Sequence, residues 1–201
     1  MNETSPLIVG LGGTGSATGS TERILREALN AAELAGAETL FFDGKALDMP
    51  MYSYDGPRTE QALALIAALR RADGIIIASP GYHGTVSGLI KNALDYVEDM
   101  AKDDRVYFEG RAVGLIAVAA GWQATGSTLA TLRSITHALR GWPTPMAVAI
   151  NAAQSVFADN GAFADPAVAN QINLLAGQVV EFARMKALDV LGRASSYAAM
   201  D

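Results

Sequence analysis

At 201 residues, 50 % of them hydrophobic and 18 % charged, the chain has a globular composition and enough length to bury one core. A net charge of −6 with no basic stripe argues against a nucleic-acid partner. The absence of cysteine excludes thiolate, disulfide and iron–sulfur chemistry, and two histidines are too few for a typical zinc cluster.

The opening MNETSPLIVG has neither the basic start nor the long apolar core of a secretory leader, and the longest apolar run, 112–120, is too short to cross a bilayer. The expected setting is cytoplasmic, with no membrane partner. Short apolar runs then alternate with segments of helical period, the pattern of parallel strands joined by crossover helices.

The first strand is expected at 7–11 and leads into Gly10-x-Gly12-x-x-Gly15, the spelling of a dinucleotide fingerprint. In that fingerprint the third glycine already belongs to the helix. Here Ser16, Ala17, Thr18, Gly19 and Ser20 intervene, so the loop is too long for it. What the loop supplies is a run of backbone N–H groups with hydroxyls at 16, 18, 20 and 21, the equipment for a terminal phosphate.

The first helix should follow Ser20 as N-cap, bury Ile24, Leu25, Ala28, Leu29 and Ala32, and stop at Gly36. A second strand is expected at 38–42, with Asp43 as a turn residue, and a second helix at 59–72 burying Leu63, Ile66 and Leu69. A third strand, 74–78, feeds loop 79–87. The third helix opens near Ser87 or Gly88 and runs to Met100, with Lys91 and Asp95 spaced to pair across one turn.

A fourth strand at 112–119 leads through loop 119–126 to a helix at 127–139 that carries His137 on its surface. The fifth strand, 147–150, is followed by a long irregular segment, and the last helix opens at Asp165-Pro166 with Val168, Ile172, Leu175, Val179 and Phe182 inward. Residues 1–191 read as a single α/β domain with helices on both faces of the sheet, and 192–201 as a flexible tail without periodicity. In an open parallel sheet ligands gather at the carboxyl ends of the strands, which places function in loops 12–20, 79–87 and 119–126. No Gly-x-Ser-x-Gly elbow and no Gly-Lys-Ser/Thr phosphate loop is present.

Loop 79–95, SPGYHGTVSGLIKNALD, closely resembles the flavin-ring loop of the NAD(P)H-dependent FMN reductase family. The resemblance continues through ALDMPMYSYD at 46–55 and AAGWQATG at 119–126. It implies a flavodoxin-like three-layer sandwich, with a five-stranded parallel sheet of order 2-1-3-4-5. By the same resemblance Gly15, Ser16, Thr18, Ser20 and Thr21 would hold the FMN phosphate. Pro80, Tyr82, His83 and Gly84 would lie along the isoalloxazine, and Gly121, Trp122 and Gly126 would meet its pyrimidine edge. The family often carries an arginine in the phosphate loop; none stands between residues 10 and 20, and Arg23 is the nearest substitute.

The implied activity is hydride transfer from NADPH or NADH through FMN to flavin, a quinone or another small acceptor. A flavin-dependent monooxygenase receiving reduced FMN is an implied partner. The alternative is a flavodoxin-like electron-transfer module without pyridine-nucleotide turnover. No catalytic side chain is required, because the cofactor carries the chemistry; His83 invites a proton-donor role, but a backbone or packing role is the preferred reading. Tyr52, Tyr54 and Met49–Met51 read as an apolar patch suited to a homodimer or homotetramer.

Overall fold

The structure, a computed structural model, describes residues 5–15 and 19–198, the stretch from 191 onward as backbone alone. Among the described residues the strands are β1 (Leu7–Gly12), β2 (Glu38–Phe42), β3 (Gly74–Tyr82), β4 (Thr85–Val86), β5 (Ala112–Ala119) and β6 (Trp142–Asn151). The helices are α1 (Ser20–Leu34), α2 (Glu60–Arg71), α3 (Gly88–Asp95), continued by a 3₁₀ turn (Tyr96–Met100), α4 (Trp122–Ala138) and α5 (Pro166–Ala198). The sheet runs β2-β1-β3-β5-β6 with parallel pairing, while the two-residue β4 folds back antiparallel on β3. With β4 set aside, this is the expected order 2-1-3-4-5.

Both faces of the sheet are covered, which is why the strands read as continuous apolar runs. The two-residue pleat sends Leu7, Val9, Leu11, Ile75, Ile77 and Leu115 into a core shared with α2, α3 and α4. Ile8, Ile76, Ala78, Ile116 and Val148 go to the opposite core, built with α1 and α5. Gly10 is required there for helix–strand approach: a Cβ on it would stand 2.8 Å from Leu29 Cδ1. The first glycine of the apparent fingerprint therefore lies inside β1 and packs a helix.

Several boundaries depart from the sequence reading for identifiable reasons. Leu63 is 57 % exposed, because the buried stripe of α2 runs through Ala62, Leu65, Ile66 and Leu69 and leaves Leu63 at its margin. α4 begins at Trp122 rather than 127. Its turn-like composition is accommodated because Thr125, Ser127 and Thr131 hydroxyls donate to the carbonyls of Trp122, Ala124 and Ser127, one turn back. Gly19, not Ser20, is the N-cap of α1. The last helix continues through Gly192 to Ala198, where a tail without periodicity was expected.

β6 starts five residues earlier than expected and carries a bulge. Val113 pairs with Pro143 and Leu115 with Ala147, so residues 144–146 stand opposite Gly114. Thr144 Oγ1 donates to the Met146 carbonyl at 2.7 Å and Gln178 Oε1 accepts from Met146 N at 2.9 Å, which satisfies the displaced backbone.

At the opposite end of the sheet from the ligand loops, Arg111 is fully buried and donates to the carbonyls of Ala72, Tyr107 and Arg70. Burial, reinforced by Arg105, pushes its guanidinium down to about 10.

The end of the segment between β2 and α2 is anchored by Arg58. Arg58 donates to Asp99 at 2.5 and 2.8 Å and to the Ser53 and Gly56 carbonyls, and its guanidinium lies 4.8 Å from the Tyr52 ring centre. These hydrogen bonds hold the Asp99 carboxyl below its ordinary range. A carboxylate with a depressed folded-state pKa contributes stability above its unfolded value and loses it as pH falls through the folded one. Asp99→Asn is therefore expected to cost about 1–3 kcal/mol at pH 7. Its urea midpoint should approach that of the parent as pH is lowered from about 5 to about 3; a constant gap over that range would show that charge is not the source.

Candidate functional site

Three loops meet at the carboxyl edge of the sheet, and their contacts are close enough to exclude side chains. Gly13 N donates to the Ala78 carbonyl at 2.9 Å, and a Cβ on Gly13 would lie 2.1 Å from Ile90 Cγ1 and 2.8 Å from Ser87 Oγ. The loop after β1 is thereby seated on the start of α3. On its other side, a Cβ on Gly44 would fall 1.7 Å from the Thr14 carbonyl, while Gly44 N donates at 2.8 Å to Oε1 of the buried Glu22.

The N-terminus of α1 closes this loop. Its N-cap is Gly19, which offers no side-chain acceptor, so the first-turn N–H groups at Ser20 and Thr21 are left without a side-chain cap. Thr21 is buried, Ser20 is half-buried and Gly15 is exposed. Ser16 and Thr18 lie outside the described residues. Arg23 is turned away to the segment before α5, where its guanidinium stands 3.8 Å from the Phe157 ring centre and 3.4 Å from the Gly161 carbonyl.

Loop 79–87 is a β-hairpin. Gly81 pairs with Val86 and Tyr82 with Thr85, leaving His83 (φ 51°) and Gly84 (φ 86°) as a two-residue turn with both φ values positive, the type I′ signature. Histidine tolerates the left-handed region better than β-branched residues do. Ser79 Oγ accepts from Ser87 N at 3.0 Å and donates to the Pro80 carbonyl at 2.9 Å, which locks the base of the hairpin. Ser87 Oγ in turn caps α3 by accepting from Ile90 N. Gly81 meets α4: a Cβ there would stand 2.7 Å from Thr128 Oγ1 and 3.0 Å from Ala119 Cβ.

Asn92 explains part of the LIKNALD motif. Its Nδ2 donates to the Met49 and Pro50 carbonyls and its Oδ1 accepts from Tyr52 N, so α3 holds the loop after β2 as well as the hairpin. Lys91 and Asp95 form the anticipated i, i+4 pair at 2.5 Å. Tyr54 donates to Glu98, and that bond pushes its phenol up to about 12. In the expected apolar patch Met51 and Tyr54 are exposed, whereas Met49 is buried and Tyr52 is half-buried.

The third loop is shorter than expected. Gly121 caps α4 and Trp122, its first residue, is 67 % exposed, while Gly126 falls inside the helix. Trp122 stands at a cavity of about 430 Å³ lined also by Ile150, Asn151, Gln154, Ser155 and Val168. A second cavity, about 360 Å³, lies between Thr14, Gly15, Glu22, Lys45, Asp48 and Leu89. Gly15, Gly84, Gly88 and Gly121 have no atom within 4 Å of where a Cβ would stand. This open, glycine-faced surface around a rigid hairpin, next to an uncapped helix start, fits a flat ring carrying a phosphorylated tail.

Glu22, Gly44 and Lys45, which line the second cavity, are not singled out by the sequence. The signal available for Glu22 was its position in the first turn of α1, three residues past the N-cap, where a carboxylate commonly bonds a backbone N–H.

The hairpin clamp ranks two substitutions. Gly81→Ala is expected to cost about 1–3 kcal/mol through overpacking against Thr128. His83→Gly removes a larger side chain but meets the positive φ without strain and should stay within about 1 kcal/mol of the parent. Thermal or urea unfolding of both variants checks the ranking, and the reverse order would overturn the clamp.

Residues 6–155 match the family model for NADPH-dependent FMN reductase. An FMN-dependent NADPH-azoreductase of Staphylococcus aureus is 30 % identical over 158 residues, covering 77 % of this chain and 79 % of the relative. Among solved structures, RosB with a bound 8-demethyl-8-formylriboflavin-5′-phosphate intermediate aligns with a TM-score of 0.74 at 16 % identity, over 98 % of this chain and 88 % of its own. FerB, an NAD(P)H:(acceptor) oxidoreductase from Paracoccus denitrificans, aligns with a TM-score of 0.68 at 19 % identity, over 91 % and 99 %. The two structures share the flavodoxin-like fold; the matched sequence goes further, and the chain belongs to the NADPH-dependent FMN reductase family.

Proposed function

We propose that the loops around Gly15, Tyr82 and Gly121 hold FMN, and that the chain passes hydride from NAD(P)H through it to a flat conjugated acceptor such as a flavin, a quinone or an azo compound. At the level of class, the chain is an NAD(P)H-dependent FMN oxidoreductase acting on small acceptors. The observation that carries the residue assignment is the type I′ hairpin 79–87, fixed by Ser79 and Gly81 beside open glycine faces.

When bound, FMN supplies the hydride-accepting ring and the onward electron transfer. The chain's task is placement. Pro80, Tyr82, His83 and Gly84 would line the ring on a turn that cannot relax without breaking the Ser79–Ser87 bond, so the ring face is held at low reorganisation cost. Gly15, Ser20 and Thr21 would receive the phosphate, together with Ser16 and Thr18. Gly121 and Trp122 would border the pyrimidine edge, with the exposed indole offering a stacking surface to an incoming conjugated acceptor. His83 sits at a solvent-exposed tip, which suits a conformational role. A second copy of the chain over Met51 and Tyr54 would form the homodimer, and reduced FMN released from the open site would serve a flavin-dependent monooxygenase.

The test is the visible spectrum of the purified protein with FMN, followed without oxygen after NADH and then NADPH. Bleaching of the bound-flavin band is expected. Binding without bleaching by either donor would replace this reading with the electron-transfer module, and absence of binding would remove the site. In the same assay Tyr82→Ala should weaken FMN binding by a larger factor than His83→Ala lowers turnover; the opposite result would move His83 into the chemistry.

A further inference from the structure

We infer that the cavity between Trp122 and the segment 150–168 receives the far end of the electron acceptor, and that its lining selects uncharged conjugated acceptors over anionic ones. This rests on the proposed FMN site and narrows what that site reduces. At about 430 Å³ the cavity is within the size range of small-molecule sites. Ile150, Val156 and Val168 give it apolar surface, and the exposed indole of Trp122 forms part of its wall. Gly121 and Trp122 are also the residues proposed to border the flavin, so one side chain is common to the ring and the cavity. An extended acceptor with one ring on the flavin would pass along the indole and place its other end here.

The wall is built in advance. Ala152 N donates to the Ala119 carbonyl at 2.8 Å, which ties the segment to the end of β5, and Ala164 N donates to the Val156 carbonyl at 2.9 Å. Phe157 and Phe163 stack with ring centres 4.9 Å apart, and the Arg23 guanidinium covers Phe157 from α1 without lining the cavity. A wall already ordered costs little to bind against, so selection falls to the groups it presents.

Among the described residues the lining holds no lysine, arginine or histidine. Its one charged group is the carboxylate of Asp165, whose Oδ1 accepts from Ala167 N at 2.8 Å at the start of α5. Two carboxamides complete the polar lining. Asn151 Oδ1 accepts from Ala153 N at 3.0 Å, which leaves its Nδ2 to donate, and the exposed Gln154 side chain has no hydrogen bond among the described residues. Carboxamides can bond a carbonyl, an amine or an azo nitrogen without any charge on the ligand. A sulfonate, carboxylate or phosphate lodged here would instead meet a carboxylate and no counter-charge. The same lining disfavours the phosphates of NAD(P)H, which gives the cavity to the acceptor rather than to the donor.

The experiment uses the FMN-loaded protein with NADPH and two dyes of one skeleton, 4-aminoazobenzene and its 4′-sulfonate. Each azo bond takes two hydrides, from two NADPH, and two protons from solvent, and is cleaved to two amines. kcat/KM is measured for both dyes in the parent, Gln154→Lys and Gln154→Glu; comparing the ratio between dyes across the proteins cancels their different intrinsic reactivity. Circular dichroism and the FMN dissociation constant verify that the variants fold and load alike. Gln154→Lys should raise the ratio of sulfonated to uncharged dye by on the order of fivefold, and Gln154→Glu should lower it by a similar factor. Both changes should shrink with added salt.

A ratio that stays at the parent value in both variants overturns the inference while leaving the flavin site standing. An equal change for both dyes overturns it too, since it would mark a structural role. A parent whose flavin is bleached by NADPH but which reduces neither dye also overturns it alone. A parent whose flavin is not bleached overturns the proposed function and this inference with it.

Discussion

The carboxyl edge of the sheet depends on backbone meeting backbone or packed side chain with no room for a Cβ. Gly13 sits against Ser87 and Ile90, Gly44 against the Thr14 carbonyl, and Gly81 against Thr128 and Ala119. Each contact joins a loop to an element from elsewhere in the chain: the loop after β1 to α3, the loop after β2 to the loop after β1, and the hairpin to α4. Interiors packed at this density do not deform continuously. The loop after β1, the loop after β2 and the hairpin are consequently held to one another, although Gly13 and Gly81 stand 68 residues apart in sequence.

α3 is the hub of that arrangement. Its N-cap Ser87 closes the hairpin through Ser79, its Ile90 receives Gly13, and its Asn92 holds three backbone groups of residues 49–52. The motif that resembles the family's ring loop thus combines an exposed turn with a buried face for assembly. Its histidine and glycine form the exposed turn, and its serine and asparagine serve the assembly.

Much of the fold could be read directly. β2 and β5 fall where their apolar runs predicted, α3 and α5 open at their capping residues Ser87 and Asp165-Pro166, and the strand order agrees. The misreadings have a common physical origin, which is competition between local composition and tertiary demand. The segment 122–126, rich in small and hydroxyl residues, reads as loop, yet the hydroxyls of Thr125 and Ser127 bond to the preceding turn and the backbone stays helical. The hairpin residues stood out because the segment 79–95 carries a long family motif. Glu22, Gly44 and Lys45 did not, because what joins them is a contact between the first turn of α1 and the loop after β2, 22 residues apart, that no periodicity records.

The bulge in β6 has a consequence for how copies of this chain can associate. β6 forms one margin of the sheet, and it carries Pro143 and Pro145, each lacking an N–H, around a distortion at 144–146. A neighbouring chain seeking to extend the sheet there would find missing donors and an interrupted repeat. Strand addition over 143–146 is thereby disfavoured, which steers association on this flank toward helices and loops.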